Sequence, residues 1–340
     1  MSSTLVADKP SGPQSPSQGA VRVRRLRHLN ELGLLAAIVA LYLALGVTAG
    51  GFLSTDNQLG ILRDAATVGI PALGVTLVII AGEIDISIGP AVAFASVLFA
   101  KGATEWDLGL PAALLLTLVA GAVWGSAAGW LRARFGVPSF IATLGLWSAL
   151  GGLALYTTNA LPVATPGGGF MDALGGKILG VPTPAVVLVL LFLVFWYVAR
   201  RTAYGRSVYA VGGNAAAAQL AGIPVSRVRV LLFATTGLLA ALTGILMAAR
   251  LGSGNGGAAA GLEFDVIAAV VIGGTALAGG RRGSLVGTML GVLFISVIAN
   301  GLVLLGVNSF LQDVVRGLII VGAVLINVII SRKGLTTRTT

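Results

Sequence analysis

Residues 71–100 read PALGVTLVII AGEIDISIGP AVAFASVLFA. Two apolar runs flank a ten-residue stretch holding Glu83 and Asp85, two positions apart. Either run alone suits the interior of a large soluble protein or a bilayer. The rest of the chain decides between them. Of 340 residues, 56% are hydrophobic and only 10% charged, against roughly 25% charged in a soluble domain. Most apolar segments lack a polar face, which a helix at a protein surface needs. The chain therefore reads as an all-α, polytopic membrane protein.

The same composition excludes several functions. There is no Cys, and the single His, His28, lies in a basic N-terminal stretch, so neither a Cys/His metal site nor a Ser-His-Asp enzyme is expected. The net charge of +10 would suggest nucleic acid in a soluble protein. Here it fits the accumulation of Lys and Arg in cytoplasmic loops, with membrane lipid and not nucleic acid as surroundings. The 49 glycines suit helices packed at short range.

Residues 1–29 read as a disordered basic tail rich in Ser, Pro and Gln and carrying Arg22, Arg24, Arg25 and Arg27. A membrane domain over 30–334 and a short tail over 335–340 follow. The first span, 32–52, is read as uncleaved and long enough to cross. Nine more are expected near 59–80, 86–100, 109–131, 138–157, 183–199, 228–250, 263–280, 284–305 and 310–331. With both termini cytoplasmic, all but five of the 22 basic residues (Arg63, Lys101, Lys177, Arg250 and Arg316) fall on the cytoplasmic side.

The halves echo each other. Gly136-Val137-Pro138-Ser139-Phe140-Ile141 resembles Gly306-Val307-Asn308-Ser309-Phe310-Leu311, and Glu83-Ile84-Asp85 resembles Glu263-Phe264-Asp265. Five spans per unit would invert the second against the first, a design found in transporters. No Walker-type phosphate loop occurs, so any ATP is hydrolysed by another subunit. The largest hydrophilic insertion on the cytoplasmic side is 200–229. Asn214 is a good N-cap, the alanines after it favour helix, and Gly222 with Pro224 ends it, so a short docking helix is expected there.

Several stretches resemble the permease subunit of ribose/xylose/galactose-type ABC sugar importers. They are Ile84-Asp85-Ile86-Ser87-Ile88-Gly89, Pro138 through Gly145, Thr202 through Gly222, Glu263 through Gly274, and Asn300-Gly301-Leu302. The resemblance covers residues 30–334 in order. It implies a non-catalytic pore subunit with no cofactor of its own, in a bacterial cytoplasmic membrane. It also implies pairing with a second permease copy or paralogue, a cytoplasmic ABC ATPase on which ATP acts, and an extracytoplasmic sugar-binding protein. The implied fold is the ten-helix, vitamin B12-permease-like importer type with two inverted five-helix repeats. The ATPase-coupling segment maps onto Gly205, Arg206, Asn214, Ala217, Leu220, Gly222 and Pro224. It departs from the family pattern at Ala215 and Gln219, where an acidic and a basic residue are common.

The expected path or gate residues are Glu83, Asp85, Glu263, Asp265 and Asn300. An ionisable group at membrane depth is costly and faces a path or a partner. Capping is the preferred reading for Asp85, with Ser87, on the third span and for Asp265 on the eighth. Sugar contact is the alternative, since carboxylates accept from several hydroxyls. Asn300 is expected mid-span in an interhelical hydrogen bond, with pore lining second; packing is preferred over stacking on a sugar ring for Trp147 and Phe140; and Arg63 is expected to pair with Asp64. An ion-coupled secondary transporter of a small polar solute is the alternative function.

Overall fold

A computed structural model of the chain describes residues 18–277, 279–280 and 283–333, without the side chains of 18–30, 323–324 and 326–333. Ala278, Arg281, Arg282 and the tail residues 1–17 and 334–340 lie outside the described residues. The apolar runs fold as α1 (Gln18–Thr48), α2 (Thr55–Ile80), α3 (Ile88–Thr104), α4 (Leu110–Phe135) and α5 (Ser139–Tyr156), then α7 (Thr183–Arg201), α10 (Val225–Leu251), α11 (Leu262–Ile272), α12 (Leu285–Leu304) and α13 (Ser309–Lys333). Short helices α6 (Gly169–Gly175), α8 (Ala203–Gly213) and α9 (Ala215–Leu220) lie between them. Two two-stranded antiparallel ribbons complete the described elements: Val163–Ala164 (β1) with Ser253–Gly254 (β4), and Lys177–Ile178 (β2) with Val181–Pro182 (β3). Among the described residues, seven helices are long and apolar enough to cross a bilayer; α3, with 17 residues, falls just short.

Three boundaries differ from expectation. Helix α1 begins at Gln18, because no Gly or Pro interrupts 20–32 and arginine is a good helix former, so the basic stretch continues the first helix. Helix α3 starts at Ile88, because side chains of α5 take the backbone N–H groups of Ile84 and Ile86. Helix α11 stops at Ile272 instead of 280, because Gly274, Gly279 and Gly280 adopt positive φ, which an α-helix cannot contain.

Helices α2 and α10 form the centre. Helix α2 packs against α7, α10, α11 and α12, and α10 against α2, α3 and α4. Helix α2 is buried nearly throughout its length beyond Ala65. The outer helices α1, α4, α5 and α7 instead expose Leu, Val and Ile, as a bilayer-facing surface does. Small residues set the closest approaches. A Cβ at Gly125 of α4 would overlap the Phe233 carbonyl oxygen of α10, and one at Gly237 would overlap that of Gly121. Gly291 of α12 meets the Ala269 carbonyl of α11 in the same way. Without a hydrophobic driving force between helices in lipid, such backbone contact is a main source of helix association.

Candidate translocation path and coupling surface

Helix α2 ends at Ile80, and Gly82, at φ +79°, turns the chain back into the protein. Residues 83–87 run without helical structure, so their backbone donors need other partners. The Ile84 N–H donates to Ser139 Oγ at 3.1 Å and the Ile86 N–H to Thr143 Oγ1 at 3.3 Å, both on α5. Asp85 Oδ1 accepts from the Ser87 N–H at 3.0 Å and the Ser87 hydroxyl at 2.7 Å. Its Oδ2 accepts from the Thr236 hydroxyl of α10 at 2.7 Å. Asp85 thus staples the broken segment to α10. It does not cap α3: the residue before that helix is Ser87, whose side chain makes no capping bond. The two-residue Asp-Ser spacing favours this closed turn over reach to the next helical N–H.

Glu83, 2% exposed, receives two arginines. Arg132 Nε, in the last turn of α4, lies 2.9 Å from both carboxylate oxygens, and Arg229 Nε, in the first turns of α10, pairs with Oε1 at 2.7 Å. In the sequence Arg132 registers only as part of the positive-inside bias, and Arg229 as an arginine flanking the docking segment; the structure turns Arg229 inward. Their partner was legible in principle, since a carboxylate at this depth requires a counter-charge.

The second carboxylate pair opens α11, where negative charge favours the helix N-terminus. Glu263, 3% exposed, accepts from Trp147 Nε1 at 2.9 Å, while its Oε2 is buried without a hydrogen-bond partner. That oxygen faces Gly89 in the first turn of α3, where a Cβ would overlap it. The first turns of α3 and α11 therefore meet. Asp265 does not cap α11. It pairs with Arg316 Nε of α13 at 2.7 Å, and Arg316 also reaches Asp313 at 3.1 Å. Asn300 lies in the last turns of α12, not mid-span, and exchanges two hydrogen bonds with Asn57 of α2, at 2.8 and 3.0 Å. Asp64 pairs with Arg250 at 2.7 Å instead of its neighbour Arg63, because adjacent helical residues do not face each other. Phe140 is half-exposed on α5. Among the described residues no three His, Cys, Asp or Glu converge as a metal site would require.

Residues 200–229 hold α8 and α9. Thr202 accepts from the Gly205 N–H at 3.1 Å and caps α8; Asn214 accepts from the Ala217 N–H at 3.0 Å and caps α9. Gly205 presses on the Val198 and Ala199 carbonyls, where no side chain fits. Gly222, at φ +82°, reverses the chain, and Pro224 precedes α10. Ala217 and Arg206 are exposed, and Leu220, at the end of α9, is 91% exposed. Burial pushes the Tyr204 hydroxyl up to about 12. Behind this surface Gly212 of α8 abuts the Ile80 carbonyl, and Gly279 lies against Gly82. The hydrophilic segment is therefore in backbone contact with the break that carries Glu83 and Asp85.

Residues 57–324 match the family model described as branched-chain amino acid transport system, permease component. The probable ABC transporter permease protein YphD of Escherichia coli (strain K12) is 61% identical, over 90% of this chain and 92% of the relative. The ribose import permease protein RbsC of Bacillus subtilis (strain 168) is 40% identical, over 88% of this chain and 93% of the relative. The xylose transport system permease protein XylH of Escherichia coli (strain K12) is 33% identical, over 91% and 94%. No solved structure matches.

Proposed function

The chain belongs to the family of ABC importer permeases that includes the ribose and xylose permeases, and we propose that it forms half of the pore through which an ATP-driven importer moves a monosaccharide. The observation that carries this reading is the coupling surface. Helix α9 ends in an exposed Leu220, and its neighbour α8 rests through Gly212 on the end of α2. A cytoplasmic ATPase takes Leu220 and Ala217 into a groove. Its movement passes through Gly212 and Ile80 to the 81–87 break. Binding energy from ATP then shifts the pore between outward-open and inward-open states, without covalent chemistry in this chain.

The arrangement of ten spans as two inverted five-helix units, of the vitamin B12-permease type, is supported by the packing pattern. The contacts of α10 with α3 and α4 are answered by those of α2 with α11 and α12, and α3 with α5 by α11 with α13. The two carboxylate pairs then belong to opposite faces. Glu83 with Arg132 and Arg229 closes the cytoplasmic side, and Asp265 with Arg316 the outer side. Trp147, exposed on α5 and held by its Nε1–H bond to the buried Glu263, offers a ring face to a sugar. An extracytoplasmic binding protein delivers that sugar to a dimer of permeases.

The test is uptake by proteoliposomes that hold the chain with its ATPase and binding protein, screened over pentoses and hexoses. ATP-dependent accumulation of one sugar is expected. Uptake that needs no ATPase and collapses with an ion gradient would replace this reading with ion-coupled transport.

A further inference from the structure

Four arginines lie at one end of the α4–α10 pair, and they divide into two sets. Arg132 and Arg229 turn inward onto Glu83. Arg134 and Arg227 are each two residues away on the same helices. At 100° per residue they lie about 200° round the helix and face outward. Both are exposed, and neither pairs with a carboxylate among the described residues. Between them runs an open groove of about 440 Å³, lined also by Trp130, Ser226, Val230 and Leu231. Trp130 and Leu231 are each 52% exposed. The first turn of α10 carries no side-chain cap, since Pro224 precedes it.

The groove is therefore flanked by two cations and apolar along its floor, with Trp130 at its side. We propose that this groove is a binding site for an anionic phospholipid, with the phosphate on Arg134, Arg227 and the Ser226 hydroxyl and an acyl chain along Trp130, Val230 and Leu231. Charge complementarity names the headgroup, and the apolar floor distinguishes a lipid from a free phosphate, which would gain nothing there. Basic pockets between membrane helices on the cytoplasmic side hold anionic headgroups by this chemistry. The lipid would stand against the base of the coupling segment, two residues past Pro224. The inference rests on the importer reading only for the name of this leaflet. Lipid retention by the chain alone is measured without ATPase or sugar, so either reading can fail without the other.

The experiment is native mass spectrometry of the full chain in detergent, titrated with phosphatidylglycerol or phosphatidylethanolamine of identical acyl chains. Preferential retention of phosphatidylglycerol is expected. The R134Q/R227Q variant should lose roughly thirtyfold in that affinity, at about fivefold per basic residue, while retention of phosphatidylethanolamine, whose ammonium offsets its phosphate, falls less. Should the double variant not fold, R227Q alone, on an exposed position, should lose about fivefold. The R200Q/R201Q variant removes two arginines at the end of another helix and should change retention less than threefold by this account. Equal retention of the two lipids overturns the proposal. So does wild-type retention in R134Q/R227Q or R227Q, or an equal loss in R200Q/R201Q, which marks a diffuse positive belt. Full competition by glycerol phosphate would make the ligand a soluble phosphate instead. Unchanged lipid retention with lost ATPase co-purification in R134Q/R227Q would give the groove to the protein partner.

Discussion

Glu83 and Asp85 stand two residues apart and are satisfied by opposite means. Asp85 takes three neutral donors from Ser87 and Thr236, whereas Glu83 takes two arginines. The difference predicts different costs. Replacing Glu83 by Gln leaves two guanidinium groups facing each other without counter-charge. The arginines are 25% and 18% exposed, so solvent screens part of the cost. A loss of about 2–3 kcal/mol is expected, below that of a fully buried pair. Thermal unfolding in detergent measures it, and Arg132→Gln in the same background should recover part of the loss by removing the like-charge contact. A second residue-scale outcome concerns Asn57 and Asn300. Each alanine variant should cost about 1 kcal/mol and the double variant less than their sum, because the reciprocal pair is lost once. A strictly additive cycle would show that the two amides do not act together.

At the scale of elements, the sequence showed the apolar runs and hid what joins them. Hydropathy marked α2, α4, α7, α10 and α12, since a bilayer demands length and apolarity whatever the tertiary contacts. It misread α11, because apolar Gly-rich sequence at 273–280 looks the same whether it continues a helix or turns at positive φ. The cap at Asn214 and the turn at Gly222 were legible, because capping and left-handed turns are local. The site was half legible. Carboxylates at depth announce themselves, but the partners Arg132, Arg229, Trp147 and Thr236 are brought in from distant positions by packing. The link from α8 to α2 was invisible in sequence for the same reason. It yields a sharp outcome. Gly212→Leu has no room against the Ile80 carbonyl, so the variant should displace α8, keep ATPase binding through α9, and reduce sugar-stimulated hydrolysis at least tenfold, roughly 1.4 kcal/mol of coupling. Wild-type stimulation in that variant would remove α8 from the coupling route.

The whole molecule presents three surfaces. A lipid-facing ring is formed by α1, α4, α5 and α7. A central pair is formed by α2 and α10, with the 81–87 break at the end of α2. The capped α8–α9 segment rests on the end of α2, and under the proposed function it is the cytoplasmic surface that moves that pair. The chain contains no Cys, so one introduced thiol is a unique reporter. Leu220, the exposed end of α9, tests the central claim most directly when replaced by Cys and treated with a membrane-impermeant maleimide. The account predicts labelling in inside-out vesicles, none in right-side-out vesicles, and protection by the ATPase subunit. Labelling from the outer side, or equal labelling with and without the ATPase, would contradict it.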